Sequence, residues 1–368
     1  MKTSLPNLSE FRKASENGGI TLQHLCGSEH LFRNRYRLLR VIGRGGFGVT
    51  YLAQDVMLPA SPLCVVKQLS PKSSSALALE RAKVRFKREA KTLAKLGNHS
   101  QIPMLLDYFT LKGEFFLVQE YVQGETLTKE IRRAGVQNET KTKQFLRELI
   151  PVVQYVHKHR VIHRDIKPPN LIRCKEHGRL VLIDFGAVRE VIAAADDHAY
   201  RAPTTQFVGT LGFAPPEQLT LRPSYASDIY AMGMTCLYML TGRSPMEFDT
   251  DPATGEVQWQ KCCTLSRYFA NVLTKMLQPD VNERYQTLSE LKRVLDLEPH
   301  LSSLSSCLNT PATTSLSDLE ERIVPLDRYM TPNQRKAASI RSWKARRKAK
   351  ELRTPRHGVL SSSHAFPL

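Results

Sequence analysis

Five residues that could do chemistry lie within one short stretch, VIHRDIKPPNLIRC, which begins at Val161. They are His163, Arg164, Asp165, Lys167 and Asn170. Apolar pairs flank the stretch on both sides, and two adjacent prolines stiffen it. Neither a solvated turn nor a core strand needs this combination. The pattern indicates a polar loop set against a core, which is where functional sites tend to lie.

The side chains of this loop suit the transfer of a charged group to a hydroxyl. Asp165 could accept or orient a hydroxyl proton, and Lys167 could neutralise a transferring phosphoryl group. Asn170 offers a neutral oxygen ligand. Asp184 ends the apolar run LVLID and is followed by Phe185 and Gly186. An amide oxygen and a carboxylate suit Mg²⁺, which takes few protein oxygens and keeps phosphate and water ligands.

A glycine-rich stretch, VIGRGGFGVTY, joins two strand-like runs. Glycine allows the backbone to approach a phosphate closely, and Phe47 at the tip could shield phosphates from water. Alone the motif is weak, because many hairpins carry glycines only for their turns. It does not open a helix, which argues against a dinucleotide-binding fold, and the sequence contains no P-loop motif.

Lys67 stands alone in the apolar strand LCVVKQL, so its ammonium group needs a buried anion. The following helix supplies one, because Phe86, Glu89, Ala90 and Leu93 share one helical face. We therefore predict an ion pair between Lys67 and Glu89. The same pattern places the helix's basic side chains towards solvent: Lys83, Arg85, Lys87 and Arg88.

Two kinds of sequence pattern must position these groups. Strand-like runs and one helix come first: a hairpin from Tyr36, a strand over 63–69, a helix over 75–96 and two strands within 102–122. Helical patterns follow over 144–159, 227–242, FANVLTKML and TLSELKRVLDL, with a short strand over 179–184. Gly242 is the expected end of the long apolar helix. The polar loop lies just past the join between the two halves.

Composition sets broader limits. The chain has 368 residues, 41% of them hydrophobic, which suits one large two-lobed domain with tails. A net charge of +18 fits either a basic surface or an anionic partner. Seven cysteines without metal-binding spacing favour reduced thiols in a cytoplasm. No signal peptide and no apolar run of about 18 residues is found, so we predict no membrane span.

Both ends of the chain differ from its middle. Residues 1–35 are polar and predict an extension with little structure of its own. Beyond 298 the chain is Ser/Thr-rich and then basic, with ten Lys or Arg against Glu351 alone over 331–368. Such a run is typical of a flexible tail. Docking to nucleic acid or anionic lipid, and autoregulation, are the alternatives.

From Tyr36 to Leu297 the chain resembles the eukaryotic-like, Hanks-type Ser/Thr protein kinases, with every major motif in order. HRDIKPPN, LIDFG and GTLGFAPPEQ are similar to the bacterial, cyanobacterial branch. The resemblance implies an α+β fold of two lobes with ATP in the cleft. It implies a kinase domain over 36–298, with a β-rich lobe carrying one main helix (36–122) and a helical lobe (123–298).

The resemblance also implies roles. Asp165 would be the catalytic base, Lys167 would contact the γ-phosphate, and Lys67 would hold the α- and β-phosphates. Asn170 and Asp184 would hold Mg²⁺, with Mn²⁺ as an alternative. The residues implied at the ATP site are Ile42, Gly43, Arg44, Gly45, Gly46, Phe47, Gly48, Thr50, Val65, Lys67, Glu89, Glu120, Val122 and Ile172. Gln119 would be the gatekeeper beside them.

Thr50 and Val65 depart from the family, which usually has valine and alanine there, so the roof of the ATP pocket is reshaped. Arg164 suggests control by phosphorylation of the loop after Asp184, with Thr204 and Thr205 as acceptors. The resemblance gives four residues structural roles: Thr210 beside the base, Glu217 paired with Arg284, and Asp228 bracing the loop.

The resulting expectation is an ATP-dependent enzyme that phosphorylates protein Ser/Thr hydroxyls in signalling and phosphorylates itself. Lys167 favours Ser/Thr over Tyr specificity, because tyrosine kinases typically lack this lysine. The alternative is a pseudokinase or nucleotide-binding scaffold with a basic docking tail. The intact Lys67, Asp165, Asn170 and Asp184 argue against that alternative. A third possibility treats the basic tail as the working part.

Overall fold

The computed structural model describes residues 22–45, 48–69, 76–190 and 209–300. The chain divides into two units, residues 1–301 and 302–368. The second unit lies outside the described residues, and so does the basic tail within it. The predictions for four single residues also fall outside the described ranges: Gly46, Phe47, Thr204 and Thr205.

An antiparallel sheet forms most of the first half. Its strands are β1 (Leu31–Phe32), β2 (Tyr36–Gly45), β3 (Gly48–Asp55), β4 (Leu63–Leu69), β5 (Leu105–Leu111) and β6 (Glu114–Glu120). They lie in the order β1-β2-β3-β4-β6-β5. The predicted hairpin of β2 and β3 is present, and the two strands predicted within 102–122, β5 and β6, also pair as a hairpin. Lys112 and Gly113 have φ values of 48° and 80°, which a two-residue hairpin turn favours.

Alternation along the strands gives this sheet two different faces. One face carries a small core formed by Tyr36, Leu38, Tyr51, Val66, Phe116 and Val118. On the other face, Phe115 and Leu117 pack against the helix α1 (Ala76–Leu96) through Phe86 and Leu93. The Phe86 and Phe115 rings lie 5.1 Å apart between centroids. The predicted helix and its inward stripe are therefore confirmed.

The N-terminal segment from residue 22 differs from the prediction of little structure. A 3₁₀ turn (Leu22–Leu25) and β1 cover the small core, with Leu22 2% and Phe32 4% exposed. The Phe32 and Phe116 rings lie 5.0 Å apart. Without this cover the apolar face would meet water, and burying each such side chain contributes about 1.5–3 kcal/mol.

The second half is mainly helical. Its helices are α2 (Leu127–Ala134), α3 (Glu139–Lys158), α4 (Pro216–Leu219), α5 (Tyr225–Thr241), α6 (Arg267–Met276) and α7 (Leu288–Leu297). Helix α5 is buried along most of its length and ends at Gly242, whose φ is 71°, as predicted. Helix α3 begins earlier than predicted because the Asn138 side chain accepts a hydrogen bond from Lys141 N.

Short strands hold the polar loop between the two halves. They are β7 (Gly124–Thr126), β8 (Val161–Ile162), β9 (Leu171–Cys174), β10 (Leu180–Leu182) and β11 (Arg189–Glu190). Strand β9 pairs with β7 and β10, and β8 pairs with β11. A sheet-rich half followed by a helix-rich half confirms the α+β, two-lobed fold class. Within the described residues, no helix combines the length and the hydropathy that crossing a membrane requires.

Candidate active site

Three side chains surround the Asp165 carboxylate, two from the loop between β8 and β9 and one, Thr210, from further along the chain. Oδ1 accepts a hydrogen bond from Thr210 Oγ1 at 2.8 Å. Oδ2 accepts one from Asn170 Nδ2 at 2.9 Å and lies 2.8 Å from Lys167 Nζ. Lys167 Nζ also donates to Thr210 Oγ1 at 2.5 Å. Both carboxylate oxygens are thus fixed in position.

Asp228, fully buried near the start of α5, fixes the backbone that precedes Asp165. Its carboxylate accepts hydrogen bonds from the backbone N–H groups of His163 at 2.9 Å and Arg164 at 2.8 Å. His157 Nε2 lies 2.8 Å from the same carboxylate. Burial alone would raise the pKa of Asp228, but the hydrogen bond with His157 helps to keep that pKa below its ordinary value. The predicted brace is present.

Lys67 lies between two carboxylates. Its Nζ donates to Glu89 Oε1 and to Asp184 Oδ1, both at 2.9 Å. The Glu89 side chain is 2% exposed, that of Lys67 16% and that of Asp184 40%. Burial alone would lower the pKa of Lys67, but the two carboxylates raise it above its ordinary value, while Lys67 lowers the pKa of Asp184. The predicted Lys67–Glu89 pair is present, and Asp184 is a second anionic partner of the same ammonium group.

Asp184 and Asn170 offer oxygens that suit a hard cation. Among the described residues, no hydrogen bond is donated to Asp184 Oδ2 or to Asn170 Oδ1. The Ile183 N–H donates to the Asn170 backbone oxygen at 2.9 Å, which links the segments that carry the two side chains. One carboxylate oxygen and one amide oxygen fit Mg²⁺, which completes its shell with phosphate and water.

Sequence reasoning missed Arg85. Its Nε donates to the Gly186 carbonyl oxygen at 2.6 Å, so this side chain does not simply reach solvent. Burial lowers the pKa of Arg85. The contact ties α1 to the turn that follows Asp184. One sequence signal could have found it, because Arg85 stands four residues before Glu89 and so shares its side of the helix.

The turn after Asp184 is fixed on its other side as well. Phe185 is fully buried, and its ring meets the His163 ring edge-on with centroids 4.9 Å apart. Asp184 itself has a φ of 67°, a left-handed conformation that is uncommon outside glycine. The ring contact and the Arg85 bond together hold this backbone in place.

Register places the predicted ATP-site residues of the sheet on one face. Thr50 pairs with Lys67, and Val65 pairs with Gln119. Directly opposite residues point to the same side of a sheet, as do residues two apart on one strand. These four side chains therefore share a face.

The glycine hairpin has a structural requirement of its own. Gly43, Arg44 and Gly45 pair with Thr50, Val49 and Gly48. A Cβ on Gly48 would lie 1.8 Å from Gln68 O, and the Gly48 φ is 143°. Only glycine lets β3 approach β4 this closely, whatever the hairpin binds.

The remaining predicted ATP-site residues lie on neighbouring segments. Ile42, on β2, is 38% exposed. Glu120 ends β6, and Val122 lies in the connection that follows it. Ile172 lies on β9, opposite Val181 in the three-stranded sheet.

A second buried ion pair stabilises the helical half. Arg284, with no exposed side-chain surface, donates to both Glu217 oxygens at 2.6 and 2.8 Å. Next to Glu217, the Gln218 amide donates to the Arg164 carbonyl oxygen at 2.7 Å. The predicted Glu217–Arg284 pair is present, and its neighbour connects it to the loop that carries Asp165.

Three curated relatives illustrate the similarity. Serine/threonine-protein kinase B of Synechocystis sp. is 47% identical over 293 residues, which cover 78% of this chain and 51% of that protein. Serine/threonine-protein kinase PknA of Nostoc sp. is 41% identical over 271 residues, covering 73% of this chain and 48% of that protein. Probable serine/threonine-protein kinase YbdM of Bacillus subtilis is 26% identical over 267 residues, covering 72% and 90%.

The chain spans about half the length of the two cyanobacterial relatives. A family model described as Protein kinase domain matches residues 36–294, well over half of the chain. That match agrees with the resemblance carried by the sequence motifs and with the two-lobed fold. The chain belongs to the protein kinase family.

Proposed function

We propose that the protein is a Ser/Thr protein kinase that transfers the γ-phosphoryl group of ATP to a protein hydroxyl. The observation that carries this proposal is the Asp165 carboxylate, held within 3 Å by Lys167, Asn170 and Thr210. A carboxylate fixed in this way can orient a hydroxyl and accept its proton. The names of the relatives, all Ser/Thr protein kinases, support the same activity.

In this proposal Asp165 is the catalytic base. Lys167, 2.8 Å from it, carries the positive charge that offsets charge on the transferring group. Thr210 positions both side chains. The chemistry consists of holding the hydroxyl in line and neutralising charge, because phosphoryl transfer asks for little covalent work from the protein.

ATP binding is assigned to the shared face of the sheet and its edges. Lys67 binds the α- and β-phosphates, and Glu89 keeps the ammonium in place. The glycine hairpin lies over the phosphates, with Ile42, Thr50 and Val65 around the base and Ile172 beneath it. The backbone of Glu120 and Val122 takes the edge of the adenine.

Asn170 and Asp184 would hold the divalent cation, which the protein kinase family uses together with ATP. We propose Mg²⁺, with Mn²⁺ as an alternative. The cation supplies charge neutralisation at the phosphates. The chain's own part is to hold Asp184 at the correct point, through Lys67 on one side and the buried Phe185 on the other.

Several further assignments rest on the sequence. Thr204 and Thr205 are the proposed phosphorylation sites. A phosphate on either residue would act by binding Arg164. The proposed kinase domain covers 36–298, and the basic tail stays a predicted flexible segment that could contact nucleic acid or anionic lipid. A cytoplasmic location is a prediction from the cysteines. Protein substrates are implied by the activity.

The test is transfer from γ-³²P-labelled ATP with Mg²⁺ by the purified full chain. We expect label on Ser or Thr with wild type, and a loss of at least about 100-fold with Asp165→Asn, which still binds ATP. Asp184→Asn should lose Mg²⁺-dependent binding and transfer. Asp296→Asn is the matched control, because it makes the same chemical change on the exposed surface of α7. Mapping of the labelled sites tests Thr204 and Thr205.

Three results would contradict the proposal. Wild-type transfer by the Asp165→Asn variant would refute the assignment of Asp165 as the catalytic base. Label on tyrosine would refute the Ser/Thr specificity. Wild-type protein that binds ATP but labels neither itself nor any protein would support the scaffold alternative.

A further inference from the structure

We infer that the Gln119 side-chain amide reads the purine base of the bound nucleotide by donating a hydrogen bond to N7 of the base. This inference rests on the proposed ATP site. Gln119, the next-to-last residue of β6, is 5% exposed, and its Nε2 has no hydrogen-bond partner among the described residues. A buried amide donor left without a partner is costly. Such a group is typical of a ligand-binding position.

The register shows where this amide lies. Gln119 pairs with Val65, and Leu117 pairs with Lys67, so both residues of β6 lie on the face that carries the Lys67 ammonium. Their neighbours Phe116 and Val118 point to the other side, into the small core. Val65 is two residues from Lys67, which is about 7 Å along a strand. Gln119 therefore lies on the same face of the sheet as Lys67, the lysine proposed to bind phosphate. The residue pair that contains Gln119 lies about 7 Å along the strand from the pair that contains Lys67.

The next residues carry the backbone groups proposed for the base. The Glu120 N–H is already used, since it donates to Met104 O at 2.9 Å. Val122 lies outside the strands, and no turn or loop hydrogen bond of the described residues uses its N–H or C=O. A purine whose N1 edge binds that backbone carries N7 next to its 6-position group. Gln119 comes directly before this segment, so its side chain is positioned to contact the purine edge that carries N7 and the 6-position group.

The chemistry of the amide matches adenine. A glutamine amide can donate to N7 and accept from the 6-amino group of adenine at the same time. Guanine has an oxygen acceptor at position 6, which would face the amide oxygen. The assignment therefore makes Gln119 a specificity-determining residue that favours ATP over GTP.

The experiment is a binding cycle on the full chain with Mg²⁺. It compares ATP with 7-deaza-ATP, in which a carbon replaces N7, on wild type, Gln119→Met and Leu117→Met. We expect wild type to bind 7-deaza-ATP about three- to tenfold more weakly than ATP, the range of one hydrogen bond. Gln119→Met should bind the two nucleotides equally. Leu117→Met changes a buried residue on the same strand and face, and should keep the wild-type ratio.

Two outcomes would overturn the inference: wild type that binds both nucleotides equally, or Gln119→Met that keeps the wild-type preference. Gln119→Leu repeats the test with a different side-chain shape. Thermal unfolding without nucleotide distinguishes a role in base recognition from a purely structural role. Gln119→Met breaks no hydrogen bond of the described residues, so it should not lower the Tm. If wild type transfers no phosphate and binds neither nucleotide, the proposed function itself fails. Normal transfer with no N7 preference overturns this inference alone.

Discussion

Replacing Thr210 by valine tests how the Asp165 carboxylate is held. The Thr210 hydroxyl donates to Asp165 Oδ1 at 2.8 Å and accepts from Lys167 Nζ at 2.5 Å. Valine keeps the shape of threonine and removes both bonds. Asp165 would retain Asn170 and Lys167 as partners, so the carboxylate would remain in the site with one oxygen unrestrained.

The expected loss can be set from one hydrogen bond to a charged group, about 1.5–3 kcal/mol. If that bond is needed in the transition state, kcat falls by about 10- to 160-fold. ATP affinity should change little, because no hydrogen bond of the described residues joins Thr210 to Lys67 or Glu89. Thr210→Ser retains the hydroxyl and should stay within about threefold of wild type.

The assay is steady-state phosphotransfer with a saturating protein or peptide acceptor, together with equilibrium ATP binding. Thermal unfolding of each variant checks that the loss does not come from unfolding. The reasoning would be refuted if Thr210→Val kept kcat within threefold of wild type. It would equally be refuted if the serine and valine variants lost the same activity, because the hydroxyl would then not be the group that matters.

Two further changes probe what supports the site. Glu217→Gln leaves the buried Arg284 guanidinium without its carboxylate and should cost about 3–5 kcal/mol of unfolding free energy in denaturant titration. Adding Arg284→Met should restore part of that loss, and a single variant as stable as wild type would contradict the pairing. Arg85→Met should speed amide hydrogen exchange in the turn that Arg85 contacts, without changing exchange in α5. Unchanged exchange there would show that the Arg85 bond does not hold the turn.

The elements could be predicted where patterns are long. Helix α1 and its inward stripe follow from apolar residues at the helical period over 21 residues. The Lys67–Glu89 pair followed from two local facts, a lone lysine in an apolar strand and a carboxylate within that stripe. The stripe could be seen within the helix alone, and the ion pair followed from one strand and that same helix.

Other features had no local signal. The segment around Leu22 and Phe32 was missed because a four-residue turn and a two-residue strand are too short to show a period. Lys67 and Asp184 are 117 positions apart, and Asp165 and Thr210 are 45 apart. No pattern within a segment reveals such contacts, so their expected roles came from the family resemblance.

The contacts of α1 couple the position of this helix to the position of Asp184. Three contacts hold the helix in place: Glu89 with Lys67, Arg85 with the Gly186 carbonyl, and Phe86 with Phe115 of the sheet. Glu89 and Phe86 are buried, so moving the helix outward would expose apolar surface and separate an ion pair together. Since Lys67 also holds Asp184, the same movement would release the oxygen proposed to bind the cation. Small displacements of α1 are therefore resisted by all three contacts at once, and a displacement large enough to break them would disturb the proposed phosphate and cation sites in a single step.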